Sequence, residues 1–233
     1  MRTATTALRA KLSDLRHPYQ VRDRLDNERI SLLISYVLGA NGTAVDVGAH
    51  IGTFTREMVR CAPDGHVIAV EPVAFRAADL ARAWPTVQVM QGALSDENGN
   101  AKFAIATNQD AMSSLVVDRT RHNGVDLECE LVEVEVWTLD HILDGRAADV
   151  VKIDAEDAEV AILRGASATL RSGTTVVIEH GARPVEEHEE MFSLLADAGL
   201  RLFTIDGEGP FASSHSFAER CDRGDLWTWV AHR

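Results

Sequence analysis

The chain has 233 residues, of which 45% are apolar and 25% charged, and a formal net charge of −13. This balance excludes a disordered or fibrous protein, and a chain of this length can bury a core without metal or disulfide staples. Because phosphate recognition needs a basic surface, the acid excess predicts that the protein has no nucleic-acid partner.

The cysteines and the apolar segments bear on where the protein works. Cys61, Cys129 and Cys221 are far apart and odd in number, which is typical of reduced thiols. The most apolar N-terminal stretch, residues 30–40, is about half the length that a membrane span needs. We therefore predict a soluble, cytoplasmic protein without a membrane partner.

Strand-like and helix-like segments alternate along the chain. In order, the patterns predict a helix over 26–38, a strand over 43–48, a helix over 53–62, a strand over 66–70, a helix over 74–84, a strand over 87–90, a strand over 149–154, a helix over 157–171, a strand over 174–179, a helix over 187–198, and strands over 200–205 and 226–230. Such alternation predicts an α/β, doubly wound fold with a mostly parallel, Rossmann-like sheet covered on both faces.

The remaining segments define the domain organisation. Residues 102–106 and 131–137 read as extended, which predicts a β-type insertion around 101–137, and 206–224 reads as a long loop. Residues 1–25 are predicted to form an N-terminal helical extension that covers the cofactor or contacts a second subunit. Residues 26–233 then form a single domain, and a homo-oligomer is possible.

A glycine-containing turn follows the first predicted strand, with the sequence Asp46-Val47-Gly48-Ala49-His50-Ile51-Gly52-Thr53. Ligands of parallel sheets bind beyond the carboxyl ends of the strands, and glycines let the backbone approach them. The spacing of Gly48 and Gly52 is not G-x-G-x-x-G, which argues against an NAD-linked oxidoreductase. Asp46 would repel a pyrophosphate but suits the amino group of S-adenosylmethionine, contacted directly or through water. The free N–H groups of the turn and of the helix that begins near Thr53 would take its carboxylate.

Other strand ends complete the predicted cofactor site. Glu71, followed by Pro72, ends the second strand about twenty residues after the glycines, where an acid binds ribose hydroxyls. Small residues after the third strand, including Ala93 and Leu94, leave room for a flat adenine. His50 either tolerates a positive φ in the turn or handles substrate directly.

These residues resemble the FkbM-type methyltransferases of the class I S-adenosylmethionine-dependent fold. The matching stretches are Val45 to Gly52, Val70-Glu71-Pro72, Gly92 to Asp96, Thr138-Leu139-Asp140, Val151 to Glu159 and Leu163-Arg164-Gly165. The resemblance covers roughly residues 26–205 and implies a seven-stranded sheet with a reversed last strand. It also implies O-methylation of small molecules, often sugar or natural-product hydroxyls. The family usually has Asn at His50 and Gly at Asp157. Asp157 would be a good helix N-cap, and as an added carboxylate it leaves metal dependence open.

A hydroxyl acceptor needs a base near the methyl group. Asp154 ends the fourth predicted strand and His180 the fifth, so both are expected to project into the crevice as catalytic residues. Substrate contacts are predicted for Ser113, Ser114, Glu156 and Glu179, and Arg119 and Arg121 either bind an anionic group or lie on the surface. Asp154, Glu156, Glu159 and Glu179 with His180 could hold a divalent cation, although no metal-ligand set is predicted.

The sequence thus predicts an S-adenosylmethionine-dependent O-methyltransferase that acts on a hydroxyl or acidic oxygen of a small-molecule acceptor. Two alternatives stay open, a metal-dependent O-methyltransferase and a catalytically silent S-adenosylmethionine-binding module.

Overall fold

The computed structural model describes residues 18–108, 113–115, 121–122, 125–126, 128–181, 183–222 and 228–233. Residues 1–17 of the predicted N-terminal extension and Arg119 lie outside the described residues. The helices are α1 (Pro18–Val37), α2 (Thr53–Cys61), α3 (Ala74–Ala83), α4 (Leu139–Leu143), α5 (Glu159–Arg164), α6 (Ser167–Arg171), α7 (Val185–Asp197) and α8 (Ser214–Asp222). The strands are β1 (Thr43–Val47), β2 (His66–Val70), β3 (Gln88–Met90), β4 (Ala93–Leu94), β5 (Gly99–Ala106), β6 (Arg121–His122), β7 (Val125–Asp126), β8 (Cys129–Trp137), β9 (Val150–Ile153), β10 (Thr175–Glu179), β11 (Arg201–Thr204) and β12 (Thr228–His232).

Seven strands form the main sheet, in the order β3-β2-β1-β9-β10-β12-β11. Only β12 runs against its neighbours, and the other pairings are parallel. This confirms the predicted doubly wound, Rossmann-like fold with a reversed last strand. Val47 pairs with Val70 and with Ile153, and Ile153 pairs with Ile178. The four central strands therefore end together, and the residues that follow them share one edge of the sheet.

Helices cover both faces of the sheet because its central strands are apolar on both sides. On one face, Ile30 and Ile34 of α1 pack with Met58 of α2 against the strands. On the other face, α4 to α8 bury residues that include Ile162, Met191 and Phe217. Among the described helices, none is long and apolar enough to cross a membrane.

A second sheet lies in the region of the expected β-type insertion, and in it β8 pairs with β5 antiparallel and with β4 parallel. Two predictions about the elements need correction. The helix predicted over 157–171 divides into α5 and α6 at Gly165, where a Cβ would overlap the Ser95 carbonyl oxygen. The loop predicted over 206–224 contains α8, whose buried Phe217 ring packs edge-on against Trp229 at 4.8 Å.

Helix α1 begins at Pro18 and runs unbroken through residues 25 and 26, where the extension was expected to end. A continuous helix places the described part of that extension, 18–25, on the same element as the core residues Ile30 and Ile34. The helix therefore carries its first turns toward the edge of the sheet where the central strands end.

Candidate active site

A cavity of about 330 Å³ lies at the carboxyl edge of the central strands. Its volume is in the range of small-molecule sites, roughly 300–1,000 Å³. The residues that follow β1, β2, β9 and β10 line it, and α1 and the second sheet close its sides. The predicted position of the site, beyond the ends of the parallel strands, therefore coincides with a cavity.

The glycine turn forms one wall of this cavity. Gly48 has φ +73°, and a Cβ there would overlap the Asp154 carbonyl oxygen, so only glycine fits. The Gly48 and Ala49 N–H groups donate to the Val70 carbonyl at 3.0 and 3.1 Å. His50 has φ +50° and lines the cavity, as expected of a residue that tolerates the left-handed region. The first two N–H groups of the turn are therefore hydrogen-bonded to the last residue of β2. The start of α2, at Thr53, lines the cavity and can face a ligand.

Two predicted cofactor ligands of the turn lie behind this wall. Asp46 is 1% exposed, and its Oδ2 accepts a 2.6 Å hydrogen bond from the Thr55 hydroxyl. Burial raises the pKa of Asp46, while Lys152 and the Thr55 hydrogen bonds oppose the rise. A Cβ at Gly52 would overlap the Trp84 ring. Neither residue lines the cavity, which argues against the predicted direct contacts with the cofactor: Asp46 holds the start of α2, and Gly52 makes room for core side chains.

Glu71 lies where the ribose site was predicted. Its carboxylate is nearly buried on the cavity wall and accepts the His50 N–H at 2.8 Å and the Val73 N–H at 2.9 Å. Burial raises the pKa of Glu71, and these two N–H donors and Arg76, at 4.0 Å, oppose the rise. Each oxygen keeps a second lone pair, so the fixed carboxylate can accept two more donors. Pro72, Ala93 and Leu94 line the cavity beside it.

The opposite wall carries acids around one lysine. Lys152 is 2% exposed, and its Nζ lies 2.9 Å from Asp154 Oδ2 and 4.0 Å from Glu179 Oε1. Burial alone would lower the pKa of Lys152. The negative charges of Asp154, Glu179 and Asp46 outweigh this effect and raise the pKa above its ordinary value, so the side chain stays an ammonium ion.

Glu179 is an acid on this wall whose pKa is raised into the neutral range. Burial, the Asp154 charge, and more weakly Glu156 and Asp23 raise the pKa of Glu179 to about 8, against the opposing effect of Lys152. The side chain keeps 35% of its surface, and this surface faces the cavity that Glu179 lines. A confined cavity solvates a carboxylate less well than bulk water, which explains the rise.

His180 does not project into the crevice, and its prediction as the catalytic base is wrong for this reason. Its side chain is fully buried, with Nδ1 3.4 Å from Glu159 Oε2 and Nε2 3.1 Å from His188 Nδ1. His180 points under the sheet edge because it follows Glu179, and successive residues of a strand face opposite sides. Asp154 and Glu179, in contrast, both reach the cavity.

The predicted substrate residues divide in the same way. Ser113, Glu156 and Glu179 line the cavity. Ser114 is 1% exposed and donates its hydroxyl to the Glu156 carbonyl, so it supports the wall from behind. Asp157 was expected to cap a helix, but it precedes Ala158, the residue before α5, and has φ +83°. That conformation explains why glycine suits this position.

Several cavity residues had no signal in the sequence analysis. Arg22, Asp23, Asp26 and Asn27 of α1 line the cavity, and a helix pattern gives no clue to which turn faces a ligand. Arg76 and Lys152 were also missed. Lys152 did have a signal, because a lysine inside the apolar run Val150-Val151-Lys152-Ile153 is rarely buried without a partner.

Known proteins resemble this chain both in sequence and in three-dimensional structure. The sequence model described as the methyltransferase FkbM domain matches residues 46–202, which is more than half of the chain. The chain belongs to the FkbM methyltransferase family. No curated protein matches this FkbM methyltransferase.

Solved methyltransferases are similar to this FkbM methyltransferase in shape. Precorrin-6y C5,15-methyltransferase from Geobacter metallireducens GS-15 is 14% identical, with 75% of this chain and 73% of that chain covered and a TM-score of 0.43. Aeropyrum pernix fibrillarin with bound S-adenosyl-L-methionine is 13% identical, with 84% and 68% covered and a TM-score of 0.46. An rRNA methylase from Streptococcus thermophilus is 9% identical, with 86% and 90% covered and a TM-score of 0.43.

S-adenosylmethionine is the methyl donor that the family supports, and the FkbM methyltransferase cavity fits it. The Glu71 carboxylate is held in place by two N–H groups and keeps lone pairs for further donors, and no phosphate-binding glycine pattern is present in the turn. A metal finds no comparable support. Within the part of the chain that the structure describes, no group of three or more His, Cys, Asp or Glu side chains is arranged to hold an ion.

Proposed function

We propose that this FkbM methyltransferase methylates a hydroxyl oxygen of a neutral or cationic small molecule, with Glu179 accepting the hydroxyl proton. The observation that carries the proposal is the placement of Glu179. It ends β10 on the cavity wall, beside Asp154 and within 4.0 Å of the buried Lys152 ammonium.

The reaction sets the need for such a group. An aliphatic hydroxyl is a weak nucleophile until its proton leaves as the new bond forms. When bound, S-adenosylmethionine supplies an electrophilic methyl group on a sulfonium sulfur. The acceptor oxygen forms the bond to that carbon, the carbon–sulfur bond breaks with its electron pair on sulfur, and the hydroxyl proton passes to the Glu179 carboxylate and then to solvent.

The other candidate bases are less suited to this step. Asp154 Oδ2 is already occupied by the Lys152 ammonium at 2.9 Å. His180 has no access to the cavity. A raised pKa makes Glu179 a stronger base than an ordinary carboxylate, and a value of about 8 leaves part of it ionised at neutral pH. Asp154 is proposed to orient the acceptor.

The cofactor is proposed to bind at the other end of the cavity. Glu71 would accept the ribose hydroxyls, and the apolar wall at Pro72, Ala93 and Leu94 would take the adenine. The turn residues Gly48 and His50 and the start of α2 at Thr53 would face the methionine part. This arrangement agrees with the spacing of the strands, because β2 and β10 lie three strands apart, roughly 14 Å.

The excess of acidic side chains around the cavity favours a neutral or positively charged acceptor. Six acidic and three basic side chains, besides His50, line the cavity. Two of the three basic groups, Lys152 and Arg76, face acids on the same wall, and Arg22 lies 3.8 Å from Asp26. A carboxylate, phosphonate or nucleic-acid phosphate would meet uncompensated negative charge. We therefore favour a hydroxyl on a neutral or amine-bearing molecule, such as a sugar or natural product.

A product analysis tests this function. The protein would be incubated with methyl-13C S-adenosylmethionine and a panel of neutral glycosides, amino sugars, phenols, carboxylic acids and an oligonucleotide. The expected result is a 13C methyl signal in the methoxy region from a glycoside, amino sugar or phenol. Methyl esters, N-methyl products or methylated oligonucleotide as the main product would contradict the proposal. Cofactor binding without any product would favour the silent module.

A pair of variants tests the role of Glu179 in the same assay. Glu179→Gln keeps the shape of the side chain but cannot accept the proton, so kcat should fall by about 100-fold or more. Glu189→Gln changes an exposed acid on α7 and serves as the matched control with wild-type turnover. Equal turnover of the two variants would remove Glu179 as the base.

A further inference from the structure

A buried group of three titratable side chains lies behind the acidic wall, and the proposed reaction does not use it. Glu159, His180 and His188 are 2%, 1% and 0% exposed. They connect two loops that flank the cavity: residues 154–158, which follow β9, and residues 180–181 with 183–184, which follow β10. Burying two imidazoles and a carboxylate is costly unless each polar atom is satisfied.

The hydrogen bonds in this group run in one direction. The Arg183 N–H donates to His188 Nε2 at 3.4 Å, so that nitrogen is an acceptor. In a neutral ring the proton is then on His188 Nδ1, which lies 3.1 Å from His180 Nε2. His180 Nε2 is thereby the acceptor, and the proton of His180 is on Nδ1, which faces Glu159 Oε2 at 3.4 Å.

The chain of hydrogen bonds ends on the backbone of the cavity loop. Glu159 Oε1 accepts the Ala155 N–H at 3.3 Å and the Asp157 N–H at 3.2 Å. This loop contains two residues in the left-handed region, Glu156 at φ +45° and Asp157 at φ +83°. A loop with two such non-glycine residues needs its surroundings to hold it.

We propose that His180 and His188 are positioning residues that hold the 154–158 loop, and with it Asp154 and Glu156, on the cavity wall through Glu159. The proposal rests on the proposed function for the roles of Asp154 and Glu179 in catalysis. It also explains why the imidazole of His180 is turned away from the cavity. Both of its nitrogens are used, and a proton on Nε2 would face the proton of His188 Nδ1.

Two further contacts hold the same loops in place. Asp157 and Arg183 form an ion pair, and the Trp229 indole N–H donates to the His180 carbonyl at 3.0 Å. The first joins the loop after β9 to the loop after β10, and the second fixes the start of the latter on β12. The hydrogen-bond chain is therefore part of a frame around Asp154 and Glu179.

Two substitutions at His180 separate positioning from simple packing. An Asn amide overlays imidazole Nδ1, so His180→Asn keeps a donor toward Glu159. A Gln amide overlays Nε2, so His180→Gln keeps only the contact with His188. Amide hydrogen exchange of residues 154–158 should stay near the wild-type rate in His180→Asn and rise by about 10-fold or more in His180→Gln. Equal protection in the two variants would overturn the proposal.

Steady-state kinetics give a readout that a merely structural role would not move. With the acceptor found above, kcat should fall about 10- to 100-fold in His180→Gln, since small displacements of reacting groups have effects of this size. It should fall less than about 3-fold in His180→Asn, with cofactor affinity unchanged in both. An equal loss in both variants, or a loss of cofactor affinity alone, would contradict the proposal.

The wild-type protein provides a test that does not depend on folding of a variant. Nitrogen-15 NMR of the imidazoles should show that His180 and His188 each carry a proton on Nδ1 and none on Nε2. A proton on Nε2 of either ring would overturn the directed chain. These NMR and exchange results do not involve the acceptor, so failure of the O-methylation proposal would leave them unchanged. Conversely, a wrong chain would leave the Glu179→Gln effect intact.

Discussion

The Lys152 ammonium lies 2.9 Å from Asp154 Oδ2 because the two residues are two positions apart on β9 and its extension, and so face the same side of the sheet. Lys152 is covered by the Phe54 ring at 5.2 Å. One cation below the cavity therefore faces Asp154, Glu179 and Asp46, and it is the main balance to the negative charge of that wall.

Replacing this cation should destabilise the protein in a pH-dependent way. In Lys152→Met the buried acids lose their counter-charge, so their pKa values rise in the folded state and stability falls as pH rises from about 4 to 8. We expect a loss of about 2–4 kcal/mol at pH 8, below the value for a fully buried pair because Asp154 is 35% exposed. Urea unfolding at pH 5 and pH 8 measures it. Adding Asp154→Asn should recover part of the loss, and a loss that is equal at both pH values would contradict the charge account.

The pH dependence of turnover should follow Glu179. Since the carboxylate acts as base only when ionised, kcat/KM should rise with pH, reach half of its maximum near pH 8 and level off about one pH unit above that. The stability effect has the opposite sign. A raised folded pKa means that the folded state binds the proton more tightly, so this contribution is full below the unfolded value and is lost between about 4.5 and 8. Glu179→Gln should remove both slopes, and a profile without a rise between pH 6 and 8 would count against Glu179.

Cofactor affinity should depend on Glu71 and not on the acidic wall. Glu71→Gln replaces one carboxylate oxygen by an NH2 group, so the side chain can accept the His50 N–H or the Val73 N–H but not both, and it weakens the proposed ribose contacts. We expect the Kd for S-adenosylhomocysteine to rise by about 10- to 100-fold, the size of a lost hydrogen bond to a charged group. Calorimetric titration measures the change, with exposed Glu186→Gln on α7 as the matched control. An unchanged Kd would remove Glu71 from the cofactor site.

The glycine turn offers a contrast between two glycines of similar conformation. Gly48→Ala should cost about 3 kcal/mol or more, because its Cβ meets the Asp154 carbonyl in addition to the left-handed strain. Gly145, at φ +80°, has open space around its Cβ, so Gly145→Ala should cost only about 1–2 kcal/mol. Denaturant unfolding compares them, and similar losses would show that the close contact between β1 and β9 is relaxed in solution.

The order of elements and the place of the site could be predicted from the sequence because both depend on local patterns. Continuous apolar strands, a glycine turn and an acid after β2 each act within a few residues, and the structure has the mostly parallel sheet and the cavity beyond the strand ends that they indicate. The family match over 46–202 confirms the methyltransferase assignment.

The direction of individual side chains could not be predicted, since it depends on contacts distant in sequence. Asp46 turns to Thr55 and Lys152, and His180 turns to Glu159 and His188. The residue at a strand end and the residue after it face opposite sides, so an error of one position exchanged the roles of Glu179 and His180. The α1 contribution was hidden for the same reason, because the helix pattern does not show what its first turns reach.

Strand β1 divides the site into two halves of different origin in the chain. Residues 46–94 supply Glu71 and the apolar wall, whereas residues 150–190 supply Asp154, Glu156, Glu179 and the framing loops. On the proposed function, a chimera that takes 150–190 from another FkbM protein would inherit a new acceptor preference while it keeps the proposed cofactor half. The two halves meet where Gly48 touches the Asp154 carbonyl, so that glycine is the junction that any such recombination, in evolution or in the laboratory, must preserve.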